Sequence, residues 1–140
     1  MKTTNKWNEV DSVYIRKKLI EYNLTKIPEE VKHAVEKVSS ILRNDEGDIV
    51  GGITGNINWY CLHIDFLWVD ESLRGKGYGK ELIKNIEEIA KENKCRIIQL
   101  DTFSFQAPDF YVACGYKIVG VIENHPTDSM NQYYLAKQLL

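Results

Sequence analysis

The 140-residue chain predicts a single α/β domain: a mixed, partly antiparallel sheet containing one parallel strand pair, with helices on both faces. Three observations lead there. Residues 60–69 alternate in polarity as a strand does, with Leu62, Ile64, Phe66 and Trp68 on one side. Leu82, Ile83, Ile86, Ile89 and Ala90 then recur with the period of an amphipathic helix. Residues 96–101 follow as a short strand built on Ile97, Ile98 and Leu100. Strand, helix and strand in that order form a βαβ unit, so 60–69 and 96–101 are expected as parallel neighbours. The length suffices for one hydrophobic core without disulfide or metal support.

The remaining elements follow along the chain. Asp11-Ser12 reads as the cap of a first helix, with Ile15, Leu19 and Tyr22 at i, i+4 and i+7. Pro28 interrupts that pattern and marks a connection or a second short helix. Residues 35–43 read as a strand ending at the turn cluster Asn44-Asp45-Glu46-Gly47-Asp48, and 49–58 as its hairpin partner. Gly51, Gly52 and Gly55 weaken that partner and predict a bulge or a close backbone approach. In 60–69 the side opposite Leu62 carries Cys61, His63, Asp65, Leu67 and Val69, which puts two titratable groups on one face. Pro108 opens a short helix to about Cys114, where Gly115 stops it. Residues 116–123 and 132–139 close the sheet.

Composition excludes several classes. Eighteen Lys and Arg against 20 Asp and Glu lack the basic surplus of a nucleic-acid-binding domain. No stretch approaches the roughly 18 apolar residues of a membrane span, and Met1–Val10 is too polar for a signal peptide. Cys61, Cys95 and Cys114 are scattered, with no C-x-x-C pair. They predict neither a disulfide framework nor a metal site, and they fit a reducing cytoplasm.

The segment Arg74-Gly75-Lys76-Gly77-Tyr78-Gly79-Lys80 lies between a strand end and a helix start. Alternating glycines there let backbone N–H groups converge on an anion at the positive end of the helix dipole. With Arg74, Lys76 and Lys80 adding charge, a diphosphate is the natural ligand. The spacing is not that of a G-x-G-x-x-G dinucleotide fingerprint, and Gly79-Lys80-Glu81 lacks the hydroxyl of a P-loop.

These residues resemble the GCN5-related N-acetyltransferase superfamily, whose acetyl-CoA signature Q/R-x-x-G-x-G/A is met by Arg74, Gly77 and Gly79. A second match, Phe110-Tyr111-Val112-Ala113-Cys114-Gly115-Tyr116, is similar to the family's F/L-Y-x-x-x-G-F/Y element. The resemblance implies the acyl-CoA N-acyltransferase fold and acetyl-CoA as co-substrate, with no metal. It implies direct attack by a primary amine in a ternary complex, the acceptor being a small molecule or a peptide. A homodimer is a family-level expectation, and a CoA-binding module without turnover is the alternative. The resemblance places Tyr111 near the CoA sulfur as the acid for the leaving thiolate. It gives the backbone of Leu67, Trp68 and Val69 to the pantetheine arm and acetyl group, implies that the strands splay near this point to admit the cofactor, and puts Ser104 at the mouth of that gap, where many relatives have Asn.

The chemistry sets its own requirement. An alkylammonium of pKa about 10.4 is about 0.1% neutral at pH 7, which costs roughly 4–5 kcal/mol unless a base assists. His63 is the candidate base, and Asp65, two residues on, can orient it, take the proton through water or bind the cation. The pair reads equally as a satisfied half-buried histidine and a structural hydrogen-bonding partner. Tyr111, with an ordinary phenol pKa of about 10, is protonated at pH 7 and able to donate to a thiolate.

Overall fold

The computed structural model describes the whole chain, Met1–Leu140, as two compact units, 1–33 and 34–140. In the first unit, α1 (Glu9–Leu24) begins earlier than Asp11-Ser12 suggests. Asn8 is the cap, because its extended backbone lets Oδ1 accept from Asp11 N at 3.1 Å. Asp11 becomes a first-turn acid, favourable beside the helix dipole. Ile15, Leu19 and Tyr22 do share one face of α1, but no residue of the helix is buried. After Pro28, Glu29–Val31 forms a single 3-10 turn rather than a second α-helix. No helix of the chain is long and apolar enough to cross a membrane.

The second unit is a six-stranded mixed sheet: β1 (Glu36–Arg43), β2 (Ile49–Asn58), β3 (Cys61–Val69), β4 (Ile97–Phe103), β5 (Lys117–Glu123) and β6 (Asn131–Gln138). Their spatial order is β1-β2-β3-β4-β6-β5. All pairs are antiparallel except β3 with β4, the parallel pair expected from the βαβ pattern. The crossover is α2 (Tyr78–Glu92), which buries Leu82, Ile83, Ile86 and Ala90. Those side chains meet Ile53, Ile57, Leu62, Ile64, Ile98, Leu100 and Leu135 in the core, together with Tyr111 of α3 (Pro108–Ala113). The helical stripe and the alternating strands predicted this packing.

The alternation of β3 fails halfway. Leu62 and Ile64 are buried as expected, yet Phe66 is 76% and Trp68 49% exposed. The register explains it: Thr54 pairs with Phe66 while Gly55 pairs with Ile64, so Asp65 is an extra residue bulged out of the ladder. Past the bulge the faces exchange, and Leu67 and Val69 pack on the core instead. Phe66 and Trp68 turn to the side of Cys61 and His63. The glycines of β2 announced this irregularity, since a Cβ on Gly55 would run into the carbonyl oxygen of His63.

The parallel ladder is short. β3 and β4 pair only at Cys61–Ile97, Leu62–Ile98 and His63–Gln99. Beyond that the strands diverge, while β4 stays bonded to β6 as far as Phe103. This splay positions everything that follows.

Candidate active site

Two cavities flank the splay. The first, about 350 Å³, is lined by Leu67, Val69 and the glycine-rich turn, and closed by α3. The turn is fixed from both ends. Asp70 N donates to Val50 O at 2.8 Å, and the Asp70 carboxylate accepts from the amide and hydroxyl of Ser72. These bonds hold the Asp70 carboxyl below its ordinary pKa, the Ser72 side chain contributing most. Arg74 Nε donates to Val69 O at 3.2 Å, which ties its side chain to the end of β3.

Gly75 and Gly77 sit at φ +77° and +88°, left-handed backbone that other residues adopt only with strain. Gly77 is the N-cap of α2 and supplies no side-chain acceptor, so the first-turn amides are available to a ligand. Gly79 is needed for another reason: a Cβ there would come within 3.2 Å of the Phe110 ring.

Of the residues expected to hold a CoA ligand, Leu67, Val69, Arg74, Gly75, Gly77, Tyr78, Gly79 and Lys80 line this cavity. Lys76, Trp68 and Ser104 are not among its walls. Trp68 lines the second cavity, and the Ser104 hydroxyl accepts from Asn131 N at 3.1 Å, joining the end of β4 to the start of β6. An apolar trough ending at glycine amides and two cationic side chains suits a long, largely uncharged arm carrying a diphosphate. Leu73, Ala107, Phe110, Ala113 and Cys114 complete the walls and were not among the expected site residues. Phe110, Ala113 and Cys114 lie in the F-Y element, where Phe110 alone fills a defined position of the pattern.

The second cavity, about 330 Å³, lies in the splay, between residues 64–68 of β3 and 100–103 of β4. Leu67 borders both cavities. On α3, neighbours divide between them: Phe110 faces the first and Tyr111 the second. Tyr111 is buried, packed edge-on to Phe110 and Tyr116 at 5.2 and 6.2 Å between ring centres. Burial pushes its phenol up to about 12, with Cys114 adding to the shift. It therefore stays protonated at any physiological pH.

On the sheet face shared with Phe66 and Trp68, His63 Nδ1 lies 2.9 Å from Asp65 Oδ1. Asn56, the register partner of His63 on β2, donates to both Asp65 oxygens at 3.2 and 3.3 Å. The bulge makes this arrangement, because it swings Asp65 out of the ladder beside His63. Across the splay, Asp101 Oδ1 stands 3.9 Å from His63 Nε2, and Asp101 Oδ2 accepts from Gln132 Nε2 at 2.9 Å. Asn56, Asp101 and Gln132 were not identified from sequence. Burial raises the Cys61 thiol, opposite to the shift an activated nucleophile needs, so a Cys61–His63 acyl-enzyme finds no support here. No group of three His, Cys, Asp or Glu side chains is gathered to hold a metal ion.

The fold is that of the GNAT acetyltransferases. The chain belongs to the acetyltransferase (GNAT) family, whose model matches residues 6–116. It is 34% identical over 117 residues to the blasticidin-S acetyltransferase of Streptomyces morookaense, covering 83% of this chain and 85% of that one. The crystal structure of an acetyltransferase from Bacillus cereus ATCC 14579 superposes with a TM-score of 0.94 at 48% identity, over 99% of this chain and 98% of the other. A Bacillus anthracis protein described as a streptothricin acetyltransferase, solved in complex with acetyl coenzyme A, gives a TM-score of 0.67 at 26% identity. That match covers 81% of this chain and 69% of the other.

Proposed function

We propose that this protein transfers an acetyl group from acetyl-CoA to the primary amine of a small molecule, by direct attack in a ternary complex. The observation that carries this reading is the position of Tyr111, buried and protonated, in a cavity that adjoins the glycine-rich trough at Leu67. Acetyl-CoA supplies an activated thioester. The edge of β3 facing β4 is free of ladder pairing from Ile64 onward, so backbone groups of Leu67 and the N–H of Val69 are available to hold the arm and acetyl carbonyl, whereas the Trp68 backbone is turned to β2. A backbone N–H there stabilises the oxyanion of the tetrahedral species.

The chain's own residues then move two protons. His63, with Nδ1–H donated to Asp65, presents Nε2 as the acceptor for an ammonium proton. The neutral amine attacks the carbonyl carbon, the C–N bond forms and the C–S bond breaks, and the second proton shed by the attacking nitrogen goes to the departing sulfur. The Tyr111 hydroxyl is the donor turned to the departing thiolate, whose conjugate acid resembles a thiol of pKa about 8.5. A phenol at about 12 is the weaker acid by about three units, so full transfer from Tyr111 alone is uphill by roughly 4–5 kcal/mol. Tyr111 therefore acts by donating a hydrogen bond as charge develops on sulfur, and the imidazolium or solvent restores the proton balance. The small-molecule acceptor is supported by the relative named for blasticidin S.

Thiol release dependent on acetyl-CoA, measured over a panel of primary amines, tests the proposal. Turnover with at least one small amine is expected. Cofactor binding without turnover on any amine would instead make the chain a CoA-binding module.

A further inference from the structure

The diverging strands put one carboxylate on each side of His63, and the two are not equivalent. Asp65 is consumed within the protein: Oδ1 takes His63 Nδ1 and Asn56, and Oδ2 takes Asn56 again. Asp101 gives Oδ2 to Gln132 and turns Oδ1 toward His63 Nε2. That Nε2–Oδ1 separation of 3.9 Å is too long for a hydrogen bond. A single nitrogen placed about 2.9 Å from each atom would see them at an angle of about 85°, close enough to tetrahedral for one ammonium to donate to both. An anionic acceptor group cannot satisfy the pair, since both atoms are acceptors once Nδ1 holds the imidazole proton, and a neutral donor lacks the charge that complements Asp101.

The surroundings favour the same ligand. Asp65 and Asp101 both line the second cavity with Tyr111, and no Lys or Arg side chain does. Phe66 and Trp68 stand exposed on its β3 wall, where aromatic faces add to the attraction for a cation.

We propose that Asp101 is a specificity-determining residue, recruiting the acceptor amine in its ammonium form and holding it against His63 Nε2. This rests on the acetyl-transfer reading above and narrows its acceptor class to alkylammonium compounds without a carboxylate beside the amine. Two carboxylates at the cavity repel an anionic acceptor, and a neutral amine lacks the charge attraction to Asp101. The bound ammonium gives one proton to Nε2, leaving the free amine to attack and an imidazolium between Asp65 and Asp101.

The Asp101→Asn variant keeps an acceptor oxygen and the size of the side chain while removing the charge. With cadaverine, a dication at neutral pH, its KM is expected to rise about tenfold, in line with the loss of a charge-assisted hydrogen bond. With benzyloxyamine, which is neutral at that pH, KM is expected to stay within twofold of wild type. Equal losses with both amines would reveal a merely structural residue, and an unchanged cadaverine KM would also overturn the proposal. Binding gives a readout independent of turnover. The His63 ring resonances of the unmodified protein should shift saturably with cadaverine, and Asp101→Asn should need about tenfold more for the same shift. A saturable shift without acetylation of any amine would leave the ammonium site standing and remove the reaction. Acetylation without any His63 response to cadaverine would do the reverse.

Discussion

The carbonyl oxygen of His63 occupies the place where Gly55 would carry its first side-chain atom. That approach admits the bulge at Asp65, and the bulge decides both the face exchange in β3 and the pairing of Asp65 with His63.

Gly55→Ala is therefore expected to destabilise the protein by about 2–4 kcal/mol, because backbone rather than a flexible side chain blocks the added methyl. Urea unfolding measures the loss. A change below about 0.5 kcal/mol would show that β2 and β3 can separate without cost.

Tyr111→Phe keeps the ring packing and removes the proton donor. A fall in kcat of tenfold or more is expected, with the acetyl-CoA-induced thermal shift retained. Full kcat in this variant would refute the role of Tyr111 as leaving-group donor.

The same phenol makes a stability prediction. Its folded pKa of about 12 lies above the ordinary value of 10, so its share of stability is complete below pH 10. Between pH 10 and 12 the unfolded chain loses the proton that the folded chain keeps, and that share is lost. Tyr116, raised by burial and by Glu87, acts in the same direction. Melting temperatures should fall above pH 10, and more steeply for wild type than for Tyr111→Phe.

Gly77→Glu sets a side chain on left-handed backbone and a negative charge where the diphosphate is proposed to lie. Wild-type protein at a hundred times the acetyl-CoA Kd should gain about 2.7 kcal/mol, or about 8 °C in Tm. The variant should show no such shift. An equal shift would place the cofactor elsewhere.

Behind the site, Lys137 Nζ contacts Glu87 at 2.9 Å and donates to Cys114 O at 3.0 Å, while Tyr116 donates to Glu87 at 3.1 Å. Lys137→Met leaves the mostly buried carboxylate without its cation, and a loss of about 1–3 kcal/mol is expected from urea unfolding. An unchanged midpoint would show that solvent already screens the pair.

The order of strands and helices, the parallel β3–β4 pair and the glycine-rich turn before α2 were legible in the sequence. They rest on local periodicity and on backbone positions that only glycine fills easily, both written in neighbouring residues. The two family elements, around Gly77 and Tyr111, were legible for the same reason. Tertiary structure alone decided which way β3 faces beyond residue 65, because strict alternation cannot register one bulged residue. It also decided where β3 and β4 part, and so the meeting of Asn56, His63, Asp65, Asp101 and Gln132 from four strands. Such a cluster depends on register between segments distant in the chain, which no single stretch of sequence encodes. The glycine at 55 marked the place, and the carbonyl packed against it gave that mark its meaning.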